Sequence, residues 1–403
     1  MDTVTHGIAG ALLGKGLFSG DELFAGRPMN RGRVLTWSLM LGAIFPDSDT
    51  FREFFSKNEM LIMTWHRSVT HSLLCLPFFA LALAALTGWL CRWRKWDAPS
   101  FAALTGIYAV GILSHIGLDL VTSFGTMIWS PLQWSRPAWD LIFIVDFTFT
   151  AILLVPQFLA WIYCKPEKLK ARALGCWLAF VFGAIVVFFF GKGVGAPFSI
   201  GALLSISVIL TGLFLLPALR NIGLRVGRAA WNRTGVVAAL LDLVCAFFAH
   251  RAALARVRNF ATVEHLEVQS IAALPFPPSL WRWDALVRAP RGVYELPVDL
   301  GDPSNPTTGA SATSAAGFPL EYRFYPDAPT NSSITQAHQL PQVQTFFWFA
   351  RFPVTRFHKE SGQSIVDFSD LRFPHIRPDR PASFTYEVRF DSSGNVLSQG
   401  WLK

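Results

Sequence analysis

The residues of this chain that could do chemistry arrive in four short groups. His6 stands in THGIAG, Asp47 and Asp49 in PDSD, His66, Arg67 and His71 in HRSVTHS, and His115 and Asp119 in HIGLD. Imidazole nitrogens and carboxylate oxygens together make a donor set for a divalent cation; zinc is the first expectation, and manganese or iron also fit mixed N/O ligation. His115 and Asp119 are four residues apart and share one helix face, which Thr122 extends. Four His and three Asp exceed the four donors of a tetrahedral zinc site. One or two ions are therefore expected, with carboxylates left over to bridge or to orient imidazoles from behind. Such an ion acidifies a bound water, so the chemistry leans to hydrolysis, and a two-ion site leans to phosphoesters. Asp49, His66 and Arg67 are the catalytic candidates: a carboxylate or imidazole as general base, a guanidinium against phosphate.

Each residue alone has an ordinary reading. A His opening a helix caps it or sits at an interface, an Asp before a helix is an N-cap, and Arg67 and Arg136 can snorkel. Asp146, expected two turns inside an apolar run, is either an eighth ligand or an ion-pair partner of Arg136 or Arg67. The convergence of four separate segments outweighs these readings.

The elements that must position these residues are apolar. Of 403 residues, 52% are hydrophobic and 15% charged, against about 25% charged in soluble proteins. Five runs are long enough to cross a membrane or nearly so: 69–91, 100–122, 139–163, 172–191 and 198–219. Two shorter runs, 5–18 and 34–45, read as a hairpin of short or half-buried helices, and a short run at 235–249 carries Asp242. If each run crosses, all four His/Asp groups fall on one side. About 15 Lys and Arg then face the other side, against about five on the His/Asp side, which places the basic side in the cytoplasm. The site and the C-terminal domain are accordingly expected in the periplasm of a multi-pass inner-membrane protein. The net charge of +8 is thus a topology signal, and no nucleic-acid partner is expected. Five cysteines without a CxxC pair give neither a disulfide framework nor a zinc knuckle.

From about 259 onward the character changes. Pro275, Pro277 and Pro278 break helices, Phe346–Phe357 and Ser383–Phe390 have strand composition, and Asp391–Gly394 reads as a hairpin turn. Residues 302–317 read as a flexible loop. The expected fold is mainly α: a polytopic membrane bundle of seven or eight helices over 1–258, followed by a small β-rich soluble domain over 259–403.

In this order, DTVTHGIAG, GAIFPDSD, HRSVTHS and HIGLDLVTSFGT…WSP resemble the YdjM-type family of bacterial inner-membrane proteins, described as predicted metal-dependent hydrolases. The matching motifs cover roughly residues 1–150, and IVDF around Asp146 is similar to the family's fifth-helix region. The resemblance implies His6, Asp47, Asp49, His66, His71, His115 and Asp119 as the site. The HxxxD pair is also similar to zinc-dependent phospholipase C and P1-type nucleases. The expected function is hydrolysis of a phosphoester or lipid-linked substrate at the membrane lipid, through metal-activated water. The alternative is a non-enzymatic transporter or a scaffold with an extracytoplasmic binding domain. The oligomeric state is not legible.

Overall fold

The apolar runs become helices for the reason that a bilayer imposes: in hydrocarbon every backbone N–H and C=O must be satisfied within the segment. A computed structural model of the chain describes residues 1–18, 30–56, 58–193, 200–219, 222–277, 280–301, 322–373 and 384–402. Its helices are α1 (Thr3–Leu17), α2 (Arg31–Ile44), α3 (Phe51–Phe55), α4 (Leu61–Thr64), α5 (Leu76–Arg94), α6 (Phe101–Leu120), α7 (Phe147–Ile162) and α8 (Leu169–Gly193). They continue with α9 (Ile200–Leu210), which runs through a π turn into α10 (Leu216–Leu219), and with α11 (Arg228–Val263). Among the described residues, five segments are long and apolar enough to cross a membrane: Leu76–Arg94, Phe101–Leu120, Pro166–Phe189, Ile200–Leu219 and Arg228–Val263. Their outer faces show Phe78, Trp89, Phe182 and Phe248, a load of exposed apolar surface that suits lipid and not water.

The runs read from composition and the helices differ in three places. The run 69–91 starts its helix only at Leu76, because Val69–His71 is a short 3-10 turn. In 139–163 the first residues hydrogen-bond elsewhere: Trp139 N–H donates to Leu120 O, and Leu141 and Ile142 N–H to Val121 O. The helix begins at Phe147, so Asp146 immediately precedes it and does not lie two turns inside. The run 235–249 belongs to a helix of 36 residues, roughly 54 Å at 1.5 Å per residue, which also runs past the domain boundary read at 258.

The chain divides into two compact units. The first comprises Met1–Pro46, Leu73–Leu118 and Phe147–Asp242; the second comprises Asp47–Ser72, Asp119–Asp146 and Leu243–Lys403. In the first unit, α1 and α2 form the expected hairpin, and glycines let their backbones meet. A Cβ on Gly10 would stand 2.9 Å from Met40 Cα, and one on Gly14 2.9 Å from Thr36 Cα. Gly42 and Gly111 do the same between α2 and α6: a Cβ on Gly111 would lie 2.7 Å from Leu39 O. Small residues at such crossings are how membrane helices gain contact without a hydrophobic drive between them.

The second unit joins the loops around the His/Asp motifs to the β-rich C-terminal region. That region forms two antiparallel meanders, β1 (Ser270–Phe276), β2 (Arg282–Ala289), β3 (Gly292–Asp299), β4 (Arg323–Pro326), then β5 (Pro353–Glu360), β6 (Gln363–Asp370), β7 (Thr385–Phe390), β8 (Val396–Trp401). Helices α12 (Ser332–His338) and α13 (Pro341–Phe349) lie between them in sequence. Phe346–Phe349 is therefore helical, with Pro341 in the first turn, and the strand expected from Phe346 starts at Pro353. The turn at Asp391–Gly394 is a hairpin turn: Asp391 Oδ1 accepts from Ser393 and Asn395 N–H, and Gly394 has φ +88°. The loop read at 302–317 lies outside the described residues. The last turns of α11 pack Ala253, Val257 and Phe260 on Trp283, Val287 and Leu296 of the first sheet. The second sheet, α12 and α13 share one core with Met60, Met63 and Phe124 of the motif loops.

Two glycines of α6 separate contact from propensity. Gly111→Val should destabilise the protein by several degrees or more in thermal unfolding, since backbone lies against that face. Gly117→Ala, with nothing within 4 Å of its Cβ, should instead match or exceed wild type by about 0.5–1 kcal/mol. Equal effects of the two would show that α2 and α6 do not meet at Gly111.

Candidate metal centre

Two loops and one helix end build the polar cluster of the second unit. Past the end of α2, Phe45–Thr50 turns as a 3-10 segment that carries Asp47 and Asp49, and Thr50 Oγ1 donates to Asp47 O at 2.7 Å. Asp49 then organises the second loop. Its Oδ1 meets His66 Nδ1 at 3.0 Å, and its Oδ2 accepts from Arg67 N–H at 2.9 Å and Thr70 Oγ1 at 3.1 Å. Those bonds hold Arg67 in the left-handed region, φ +60°, a conformation a long side chain adopts only when its surroundings over-determine it. The backbone reversal sends the guanidinium inward. Arg67 is 1% exposed and pairs with Asp119 at 3.0 Å while donating to Thr122 Oγ1 at 3.0 Å. It does not snorkel.

Around His71 the donors converge. Its Nε2 lies 3.2 Å from Asp119 Oδ2 and 3.6 Å from Asp47 Oδ1, and its Nδ1 lies 3.4 Å from Asp49 Oδ2 and 3.0 Å from Thr70 Oγ1. Asp47, His71 and Asp119 can each offer one ligand atom, all within 4.8 Å of one another; the same holds for Asp47, Asp49 and His66. These residues fit a divalent ion. Ligand oxygens and nitrogens about 2.0–2.2 Å from a metal stand a little closer together than this, and the site is buried, with two or more carboxylates to neutralise its charge. Thr70 and Asp49 steady the far side of the His71 ring, so Nε2 faces the other two carboxylates, which is the outer-shell arrangement of metal-ligating imidazoles.

The first unit holds a preset imidazole of its own. His115 Nδ1 lies 2.6 Å from Ala43 O. A carbonyl only accepts, so Nδ1 carries the proton and Nε2 of the neutral ring is the lone-pair nitrogen. His115 precedes Asp119 by one turn on α6, and its ring stacks on His6, centroids 3.6 Å apart. Asp146 is buried but belongs to neither potential ligand group among the described residues. Asp140 instead pairs with Arg351, at 2.9 and 3.0 Å.

Charge follows this geometry. Burial works against ionised Asp49, but hydrogen bonds with His66 and His71 overcome it and hold the carboxyl well below the usual carboxylate range. Burial likewise opposes a charged His71, yet hydrogen bonds to Asp119, Asp47 and Asp49 push it up to about 10. Burial lowers His66, against the pull of Asp49. A protonated His71 thus does in the metal-free protein what a cation would do.

The acids and imidazoles of this cluster are all among the residues named from the sequence, as are Arg67 and Thr122, whereas Thr70 and Phe124 are not. Thr70 lies inside HRSVTHS, where its hydroxyl was legible as a donor but not its aim. Phe124, sandwiched between the Arg67 and Arg136 guanidinium groups at 4.9 and 5.0 Å, carried no sequence signal. Of the remaining imidazoles, His250, His265, His338 and His358 join no ligand group among the described residues, and His375 lies outside them.

Residues 1–193 match the family model described as YdjM inner membrane protein, the same family that the motifs resemble; residues 194–403 lie outside the match. No curated protein and no solved structure matches the chain. The match over residues 1–193 to an inner-membrane family and the helices long and apolar enough to cross a membrane both point to a membrane protein, and its second unit holds a cluster able to bind a metal ion.

Two outcomes follow from the His71 environment. Its folded pKa lies above the 6.5 of an ordinary histidine, so its stabilising charge is complete below about pH 6.5 and is lost as pH climbs toward 10. Metal-free protein should lose thermal stability over that window, and His71→Gln should flatten the slope. Zinc ligation needs a neutral imidazole, so uptake at pH 7.5 should release about one proton per ion, read by calorimetry in buffers of different ionisation enthalpy; a heat independent of buffer would exclude His71 as a protonated ligand. Separately, Asp49→Ala should cost about 3–5 kcal/mol, because it leaves buried donors unmatched.

Proposed function

We propose that this protein is a metal-dependent hydrolase of the bacterial inner membrane, acting on a phosphoester or lipid-linked substrate. The observation that carries the reading is the buried set Asp47, His71 and Asp119, with its imidazole oriented from behind by Asp49 and Thr70. His115 and His6 are proposed as further ligands, on the strength of the Ala43 bond that presets His115 and the ring stacked on it. The overlapping group Asp47, Asp49 and His66 supports one or two ions, zinc first, with manganese or iron compatible. When bound, the ion supplies Lewis-acid polarisation of an ester oxygen and an acidified water.

The protein's own groups supply the rest. His66 is the cluster's more open imidazole, its side chain 17% exposed. Asp49 fixes its ring through Nδ1, and its lowered pKa keeps it neutral near pH 7, able to take a proton at Nε2. Arg67, expected to contact phosphate, commits its guanidinium to Asp119 and Thr122; it is a positioning residue. Asp146, which immediately precedes α7, is kept as a candidate outer ligand.

Orientation follows from charge. The three segments of the second unit are the stretches that alternating crossings put on one side, and the opposite side holds about 15 basic residues against about five. That asymmetry supports a periplasmic site and C-terminal region, with membrane lipid as the adjoining phase and no nucleic-acid partner.

Metal analysis of the purified protein, joined to turnover of a soluble phosphodiester and of phospholipid in mixed micelles, tests the reading. Bound zinc, activity abolished by chelator and restored by zinc, and a 10²–10⁴-fold loss in His66→Gln with zinc retained are expected. A wild type without metal, unchanged by His71→Ala and His115→Ala, would sink it. Tight zinc without hydrolysis, together with solute flux in vesicles, would favour the transporter alternative.

A further inference from the structure

The C-terminal region lies outside the family match, yet it grips the loops that carry the centre. Three contacts show the grip. Arg351 binds both oxygens of Asp140, at 3.0 and 2.9 Å, and Asp140 is buried and held at φ +55°. Arg372 is buried, paired with Asp370 at 2.7 Å, and its Nη1 donates to Ser123 O at 3.1 Å, four residues past Asp119. Between them runs a stack of alternating guanidinium groups and rings. Arg67 and Arg136 lie on Phe124, Arg136 also lies 5.1 Å from the Phe349 ring, and Arg372 lies 4.6 Å from that same ring. Arg136 ties the two loops together, donating to the Met63, His66 and Gly125 carbonyls.

We propose that the C-terminal region is the clamp of the metal centre: Arg351 and Arg372 fix the 121–146 loop through Asp140 and Ser123, and thereby set the spacing of Asp119, Arg67 and His71. The physical reason is that Asp119 ends α6 and its carboxylate is shared by Arg67 and His71. A loop free to move beyond it would let that carboxylate drift, and metal sites lose affinity steeply when outer-shell geometry loosens. Arg351 and Arg372 bond Asp140, Asp370 and the Ser123 and Phe349 carbonyls, so they are positioning residues. The inference rests on the metal reading above.

The experiment uses the full-length protein in nanodiscs. Zinc affinity is measured by competition with a chromophoric chelator for wild type, Arg351→Gln, Asp140→Asn and the double variant. Hydrogen exchange of residues 121–146 is followed alongside. Asp327→Asn is the control, since it breaks an ion pair of the same region, at 3.0 Å with Arg288, neither partner of which belongs to the 121–146 loop. Each single variant should weaken zinc about tenfold and speed exchange in the loop. The double variant should be no worse than either single, and Arg351→Lys should recover part of the affinity. The control should match wild type. Zinc affinities within twofold of wild type in all the Arg351 and Asp140 variants would overturn the clamp while leaving the metal centre intact. A wild type that takes up no zinc would overturn the metal reading, and the clamp with it. Equal loss in Asp327→Asn would reduce the effect to general destabilisation and overturn the assignment too.

Discussion

Several acids in a dry pocket need a positive charge among them. Asp47, Asp49 and Asp119 lie around one imidazole, and each is nearly or wholly out of solvent. Ionised carboxylates in such a place are tolerated only when paired and hydrogen-bonded. Almost every unusual feature nearby answers that demand. Arg67 enters the left-handed region to bring its guanidinium to Asp119, Thr70 is aimed at Asp49, and His71 takes a proton that a free histidine would shed. The same constraint makes the cluster receptive to a divalent ion, which supplies the same charge as an imidazolium and an arginine together, in less space.

Glycines let α1, α2 and α6 of the first unit touch along their backbones. The loops are irregular, but they are not loose. Asp49 binds the backbone of the 66–71 turn, Arg136 binds three carbonyls, and Met127 N–H donates to Arg67 O at 2.9 Å. Irregular backbone near a membrane survives when protein groups satisfy it in this way.

Much of this was legible in the sequence, and the reasons for the remainder are physical. The His and Asp groups stood out because ionisable residues are rare beside apolar helices. The helices announced themselves by hydropathy, but their starts did not. Composition stays apolar through 139–146, while the chain there spends its hydrogen bonds on Leu120 and Val121. Aromatic-rich Phe346–Phe349 has strand composition, yet it finishes a helix begun at Pro341. Arg67 looked like a phosphate contact or an interfacial cation, because a sequence gives neither φ nor the distance to Asp119. The pairing of Arg351 with Asp140 spans 211 positions, and no local pattern encodes a partner so far away.

The shared core of Met60, Met63 and Phe124 with the second sheet has a consequence in time. A ribosome delivers the motif loops first, ending at Asp146, and completes the sheet that covers them only near Trp401. At about 5–20 residues per second, these three apolar side chains wait on the order of ten seconds to a minute for their cover. During that interval the loops are present without the layer that later packs on Met60, Met63 and Phe124.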